Sequence, residues 1–208
     1  MKVLMLNGSP HEKGCTYTAL KEVEKELNQA GIETEILHVG GDAVHGCMGC
    51  GACSKLGKCI FGDDKVNEAV EKMKESDGLI VGSPVHYASA GGAITSFLDR
   101  FFYSGGGFAA HKPAAAVASA RRAGTTATLD QLNKYFMISQ MPVVSSQYWN
   151  MVHGGCPEDV MKDEEGLQIM RVLGRNMAWL LRSIEAGKAA GIAVPEAEAQ
   201  KKRTNFIR

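Results

Sequence analysis

The fold of this protein is decided by the stretch KVLMLNGSPHEKGCTYTAL, residues 2–20 of the chain. Its apolar beginning, Lys2–Asn7, predicts a short buried strand. The glycines, serine and proline that follow predict a loop. The next segment, Thr16–Ala30, predicts a helix, because apolar residues recur in it every three or four positions. A strand, a loop and a helix in this order are typical of α/β proteins.

The rest of the chain continues the alternation of strands and helices. Further strands are predicted at Glu33–Val39, Leu79–Gly82, Pro113–Ser119 and Pro142–Ser146. Further helices are predicted at Lys65–Ser76, Gly92–Phe102, Thr126–Ser139 and Leu167–Ile184. Together they predict an α/β fold with a doubly wound, five-stranded parallel sheet and helices on both faces. We expect one domain over residues 1–192, with a cysteine-rich insert at 46–60 and a C-terminal arm at 193–208.

The composition excludes several classes of partner. The chain has 208 residues, and its 23 Lys and Arg balance 23 Asp and Glu. Without a basic surplus we expect no binding to nucleic acid or to a membrane surface. The 21 residues from Gly78 to Leu98 carry no charge, but their Pro84 and His86 argue against a membrane span. No secretory signal is visible, so we expect a cytoplasmic protein.

The loop after the first strand predicts an anion site. Ser9, Thr16 and Thr18 offer hydroxyl groups, and Gly8 and Gly14 let the backbone close around a ligand. The helix that follows supplies free N–H groups and the positive end of its dipole. The pattern is neither the Walker motif nor the spaced-glycine dinucleotide motif, so a single terminal phosphate fits best. The alternative is an ordinary turn in which Thr16 caps the helix.

Two more strand ends carry residues suited to a ligand. Pro84 fixes the backbone after the third strand, where His86 and Tyr87 are placed to lie against a flat ring. After the fourth strand, Gly124 and Thr126 are suited to approach the polar edge of a heterocycle. The carboxyl ends of parallel strands share one edge of the sheet, so we expect the three loops to meet.

These motifs resemble those of the flavodoxin-like FMN reductases. The resemblance covers residues 1–150 and rests on Gly8-Ser9-Pro10, Gly82-Ser83-Pro84-Val85-His86-Tyr87 and Phe97-Leu98-Asp99-Arg100. It implies a phosphate site made by Ser9, Cys15 (through its backbone), Thr16, Tyr17 and Thr18. It implies a flavin ring site made by Pro84, Val85, His86, Tyr87, Ser119 and Gly124. For Arg100 we favour a plain ion pair at the end of a helix.

Four cysteines, Cys47, Cys50, Cys53 and Cys59, form the compact pattern C-x₂-C-x₂-C-x₅-C. Zinc sites normally use two knuckles a dozen or more residues apart, whereas three successive x₂ gaps suit the corners of an iron–sulfur cube. A [4Fe–4S] cluster, a zinc site and free thiols remain open on this spacing. The spacing resembles the iron–sulfur flavoproteins, a branch of the same group, and implies one [4Fe–4S] cluster beside FMN. Cys15 and Cys156 fit no ligand pattern and are interpreted as plain thiols.

The leading hypothesis is therefore an FMN- and [4Fe–4S]-dependent oxidoreductase. It would take electrons from ferredoxin or a small-molecule donor such as NAD(P)H and pass them to an acceptor. One alternative is a cluster-free NAD(P)H-dependent flavin, quinone or nitro reductase, and another is an electron carrier with no substrate of its own. The resemblance implies a homodimer or homotetramer. Phe206 and Ile207 near the C-terminus are expected to dock on a neighbouring subunit.

Overall fold

A sheet of parallel strands runs through the centre of the computed structural model, which describes residues 1–198, 200, 202 and 204. Its strands are β1 (Lys2–Asn7), β2 (Glu33–His38), β3 (Gly78–His86), β4 (Ser89–Ala90), β5 (Ala114–Ala120) and β6 (Met151–His153). The order is β2-β1-β3-β5-β6, and all four pairings along this path are parallel. The two-residue β4 pairs antiparallel with the end of β3. The predicted five-stranded parallel sheet is thus confirmed, with β4 as a small addition.

Helices cover both faces of this sheet. They are α1 (Cys15–Gln29), α2 (Cys53–Leu56), α3 (Val66–Lys74), α4 (Gly92–Gly105), α5 (Thr125–Ile138), α6 (Pro157–Val160) and α7 (Glu164–Ala189). A 3-10 turn at Gly106–Phe108 follows α4. Within the described residues, no helix has both the length and the apolar character needed to cross a membrane.

Each central strand is buried on both sides, which is why its sequence is a continuous apolar run. In β1, Leu4 and Leu6 point into a core shared with α3, α4 and α5. Val3 and Met5 point into the opposite core, which α1 and α7 complete. Side chains of a strand alternate between its faces, so one six-residue segment contributes to both cores.

The predicted strand Pro142–Ser146 is wrong. Val143 makes only an isolated bridge with Ala114, and the chain then leaves the sheet. The Ser146 hydroxyl donates to the Ile169 carbonyl at 2.7 Å, which holds the departing chain against α7. The fifth parallel strand forms only afterwards, where Met151 comes opposite Ala118. The sequence pattern located an apolar segment at 142–146, but this segment makes only one bridge to β5. A loop then separates it from β6, and tertiary contacts fix the course of that loop.

Helices α1 and α7 approach closely because Gly174 has no side chain. A Cβ at this position would lie 2.7 Å from the Glu26 Cβ and 2.9 Å from the Val23 carbonyl oxygen of α1. Gly187, later in the same helix, has open surroundings, since its Cβ would meet only Ile192 at 3.6 Å. The two glycines therefore differ in packing while sharing the same helix.

Gly174→Ala should destabilise the protein, because relieving the clash must separate α1 from α7. The expected loss is about 1–3 kcal/mol in the free energy of unfolding. Gly187→Ala is the matched control, and it should stabilise the protein by up to about 1 kcal/mol through helix propensity alone. Urea denaturation of both variants measures the difference, and an equal effect of the two substitutions would contradict this packing.

The last described residues, 193–198, 200, 202 and 204, form neither helix nor strand. The predicted docking of Phe206 and Ile207 concerns positions outside the described residues. The proposed arm therefore stays a prediction from the sequence.

Candidate cofactor sites

The loop after β1 is shaped by Asn7, a fully buried residue at the end of that strand. Its side-chain carbonyl accepts from the Ser9 amide at 3.2 Å, and its amide group donates to the Glu12 carbonyl at 2.8 Å. The Ser9 hydroxyl in turn accepts from the His11 amide at 3.1 Å. These bonds curl the segment back on itself before α1 begins. The predicted phosphate loop is thus a closed, ordered turn.

The first turn of α1 points its backbone N–H groups at this loop. Gly14 precedes the helix, and no side chain in the described part of the chain caps it. Thr18 uses its hydroxyl to donate to the Gly14 carbonyl at 3.2 Å. The amides of Cys15, Thr16 and Tyr17 occupy the helix positions that have no intrahelical partner, which suits a phosphate group. The hydroxyls of Thr16 and Thr18, which were named from the sequence, instead bond to Ser119 and to the Gly14 carbonyl.

The first and third loops meet through a buried pair of hydroxyl groups. Thr16 Oγ1 lies 2.8 Å from Ser119 Oγ, and both residues are almost completely buried. The Cys15 thiol faces the Gly154 carbonyl at 3.6 Å, and burial raises the pKa of this thiol above its ordinary value. The start of α1 is therefore fixed to the ends of β5 and β6.

The second loop is a two-residue hairpin between β3 and β4. Tyr87 and Ala88 both have positive φ, 49° and 59°, which is the geometry of a type I′ turn. Neither residue favours this left-handed region, and the Tyr87 side chain is fully exposed at the tip. His86 is also exposed, whereas Pro84 and Val85 are half-buried. A strained turn that displays an aromatic ring is typical of a binding site.

The hairpin rests on Gly124, which connects the second loop to the third. Gly124 has φ 98°, and a Cβ there would lie 2.6 Å from Ala88 Cα and 2.7 Å from Val85 Cγ1. All three predicted loops are thus joined, the first to the third by hydroxyl groups and the second to the third by this contact. The arrangement fits FMN, with a donor-rich turn for the phosphate and a hairpin with aromatic side chains for the ring.

Gly124→Ala should weaken FMN binding about tenfold, equivalent to about 1.4 kcal/mol, because the added Cβ pushes the hairpin away from α5. Quenching of flavin fluorescence on titration of the apoprotein measures the affinity. Gly92→Ala is the control, since a Cβ at Gly92 meets no atom within 4 Å. Equal affinities for the two variants would show that the hairpin does not contribute to the flavin site.

The four clustered cysteines line one cavity of about 160 Å³. Cys47 and Cys50 are exposed, while Cys53, at the start of α2, and Cys59 are partly buried. Gly49 and Gly51 have positive φ, 66° and 68°, so the chain turns sharply between the first three cysteines. Among the described residues, however, no three His, Cys, Asp or Glu side chains lie close enough together to hold one metal ion.

Arg100 of α4 forms the floor of this cavity. Its guanidinium is bidentate on Asp64, and the two side chains are only 1% and 2% exposed. Its Nε donates to Cys59 Sγ at 3.2 Å, and its terminal nitrogens donate to the carbonyls of His45 at 3.4 Å and Phe61 at 3.3 Å. All five N–H groups of the guanidinium therefore have partners. Burial opposes the charged form, but the bonds to Asp64 and Cys59 prevail and raise the pKa of Arg100.

Asn67 of α3 fixes the backbone of the same cysteine. Its side-chain carbonyl accepts from the Cys59 amide at 2.8 Å. Its amide group donates to the carbonyls of Cys59 and Phe61, each at 3.0 Å. Arg100 does form an ion pair, but within α4 and buried, not at the end of the helix as predicted. Its partner Asp64, its contact with Cys59 and the role of Asn67 were not predicted from the sequence.

The cysteine segment and the phosphate loop lie on neighbouring parts of the sheet edge. Gly40, just before the segment, packs so tightly on Gly8 and Ser9 that no Cβ would fit. The His38 ring nitrogen Nε2 lies 2.8 Å from the Ser9 carbonyl. Helix α4 contacts both regions, because Ile94 packs on Gly8 and Arg100 on Cys59.

Comparison with known proteins agrees with this arrangement. The model of the NADPH-dependent FMN reductase family matches residues 1–155. The chain belongs to this family. An FMN reductase fold accounts for the three joined loops, which all lie within the matched residues.

Relatives and solved structures resemble this chain over most of its length. An iron–sulfur flavoprotein of Methanocaldococcus jannaschii is 33% identical over 193 residues, which cover 89% of this chain and all of the relative. The crystal structure of RosB with bound 8-demethyl-8-formylriboflavin-5′-phosphate superposes with a TM-score of 0.70 at 15% identity, covering 100% of this chain and 93% of RosB. An archaeal flavodoxin superposes with a TM-score of 0.60 at 14% identity, covering 88% of this chain and 99% of the flavodoxin. The flavodoxin-like fold is therefore confirmed.

Proposed function

We propose that this FMN flavoprotein oxidoreductase carries one [4Fe–4S] cluster, bound by Cys47, Cys50, Cys53 and Cys59. The observation that carries the proposal is the cavity that all four cysteines line, with the buried Arg100 cation against Cys59. A cluster with four thiolate ligands has a net negative charge, so a fixed cation and several N–H donors are the surroundings that it requires. The name of the M. jannaschii relative agrees with this assignment.

Loading the cluster requires the cysteine segment to close. In the described conformation the sulfurs do not converge on one point, and Cys47 and Cys50 are exposed to solvent. Cys59 is held in place by Asn67 and Arg100. The glycines between the first three cysteines permit the change of conformation. The donor set therefore fits a cluster once the segment folds over it.

The flavin, when bound, accepts two electrons as a hydride or in single steps. The chain supplies the surroundings for that chemistry. We propose that Ser9, Cys15, Thr16, Tyr17 and Thr18 form the phosphate site, with the backbone amides of Cys15, Thr16 and Tyr17 as its main donors. We propose that Pro84, Val85, His86, Tyr87, Ser119 and Gly124 surround the ring. The contacts of Thr16 with Ser119 and of Gly124 with the hairpin would fix the positions of the loops that orient the ring.

The proposed electron donor is NAD(P)H or a ferredoxin, with a small molecule or a protein as the acceptor. The description of the family supports the pyridine nucleotide, and the cysteine segment supports one-electron exchange with a ferredoxin. We also propose a homodimer or homotetramer. The exposed aromatic residues Tyr148, Trp149 and Trp179 are suited to such contacts.

Protein purified anaerobically should contain about four iron and four sulfide per FMN. Replacing Cys50 or Cys53 by Ser should remove most of the iron and sulfide, because each loses one cluster ligand, while FMN remains bound. Cys156→Ser is the matched control and should keep the full content, since this residue lies outside the cysteine cavity. Elemental analysis measures the iron and sulfide content of each protein, and visible absorption spectra measure its FMN and cluster content.

A cluster-free NAD(P)H reductase would behave differently. It would contain FMN without stoichiometric iron and sulfide, and NAD(P)H alone would bleach the flavin equally fast in the wild type and in the cysteine variants. That result would overturn the cluster while leaving the flavoprotein intact.

A further inference from the structure

Cys59 differs from the other three clustered cysteines in how firmly it is held. Asn67 makes three hydrogen bonds to the backbone of Cys59 and of Phe61, two residues further on, and Arg100 donates to the Cys59 sulfur. Cys47 and Cys50 are exposed on the glycine-rich turn. Cys59 is thus already held in place without metal, and we call it the preformed corner of the proposed site.

The Arg100 side chain is buried and held by contacts on several sides. Asp64 accepts from two of its nitrogens, and the Phe61 ring lies 5.0 Å from the guanidinium carbon. Asp64 is fixed in turn, because its Oδ1 also accepts from the Val66 amide at 3.1 Å. The cation beside Cys59 is therefore accompanied by a carboxylate on its far side, and both are desolvated.

We propose that Arg100 is a positioning residue that holds the Cys59 sulfur and raises the reduction potential of the cluster, while Asp64 holds Arg100 and offsets its charge. This inference rests on the proposed function, since it assumes the cluster. Reduction adds one electron to the cluster and makes it more negative. A nearby cation and a hydrogen bond to a ligand sulfur stabilise that reduced form, and a nearby anion destabilises it.

Substitutions of Arg100 and of Asp64 should shift the reduction potential of the cluster in opposite directions. Arg100→Gln removes the positive charge, so the potential should become more negative. Asp64→Asn removes the negative charge and keeps an oxygen for Arg100, so the potential should become more positive. The double variant restores the local net charge and should lie between the two. Redox titration followed by electron paramagnetic resonance measures the potential of the cluster in each holoprotein.

Arg175→Gln is the matched control. Arg175 forms an exposed ion pair with Glu26 on the surface of α7, so this variant should keep the wild-type potential. A merely structural role of Arg100 and Asp64 would shift both variants in the same direction or not at all, and either result would overturn the proposal. If Arg100→Gln does not fold, Asp64→Asn and the double variant still show in which direction each charge shifts the reduction potential of the cluster.

Metal-free protein provides a second test that does not depend on the cluster. The Cys59 amide should be protected from hydrogen exchange, and Asn67→Ala should speed its exchange by about tenfold or more, because this amide loses its acceptor and the segment loses two further bonds. Unprotected Cys59 in the wild type would overturn the preformed corner. Lack of iron and sulfide in wild-type holoprotein would instead overturn the proposed function, so the two failures are distinguishable.

Discussion

The buried ion pair between Arg100 and Asp64 is the constraint on which the cysteine region depends. Removing two charges from water is costly, and it is offset only when every donor of the guanidinium has a partner. Here those partners are the Asp64 carboxylate before α3, the Cys59 sulfur, and the carbonyls of His45 and Phe61, which flank the cysteine segment. A loop rich in glycine is thereby attached at one defined place to a rigid helix.

The flavin site depends on a different kind of contact. Its three loops come from separate parts of the chain, and the parallel sheet brings them to one edge. They are then joined by close packing, at the Thr16–Ser119 hydroxyl pair and where Gly124 meets the hairpin. Small residues at these points let backbones approach each other. Helix α4 spans the two sites, which gives the proposed electron transfer a rigid frame.

Much of the fold could be predicted from the sequence, because strands such as β1 and helices such as α7 have strong local patterns. The fifth strand could not, since only tertiary contacts decide that the chain leaves the sheet after Val144 and returns at Met151. The same limit applies to the site. The cysteine spacing and the loops are visible as motifs, whereas Asn67 and Asp64 are ordinary polar residues whose roles appear only when the fold places them beside Cys59.

The central claim is that four cysteines, attached through Arg100, hold an iron–sulfur cluster beside the flavin. It is tested most directly by a crystal structure of anaerobically purified protein with diffraction data at the iron absorption edge. The account predicts one strong anomalous peak within the cavity that Cys47, Cys50, Cys53 and Cys59 line, with the Arg100 guanidinium still bonded to the Cys59 sulfur. FMN bound at the three loops with no iron peak in that cavity would contradict it.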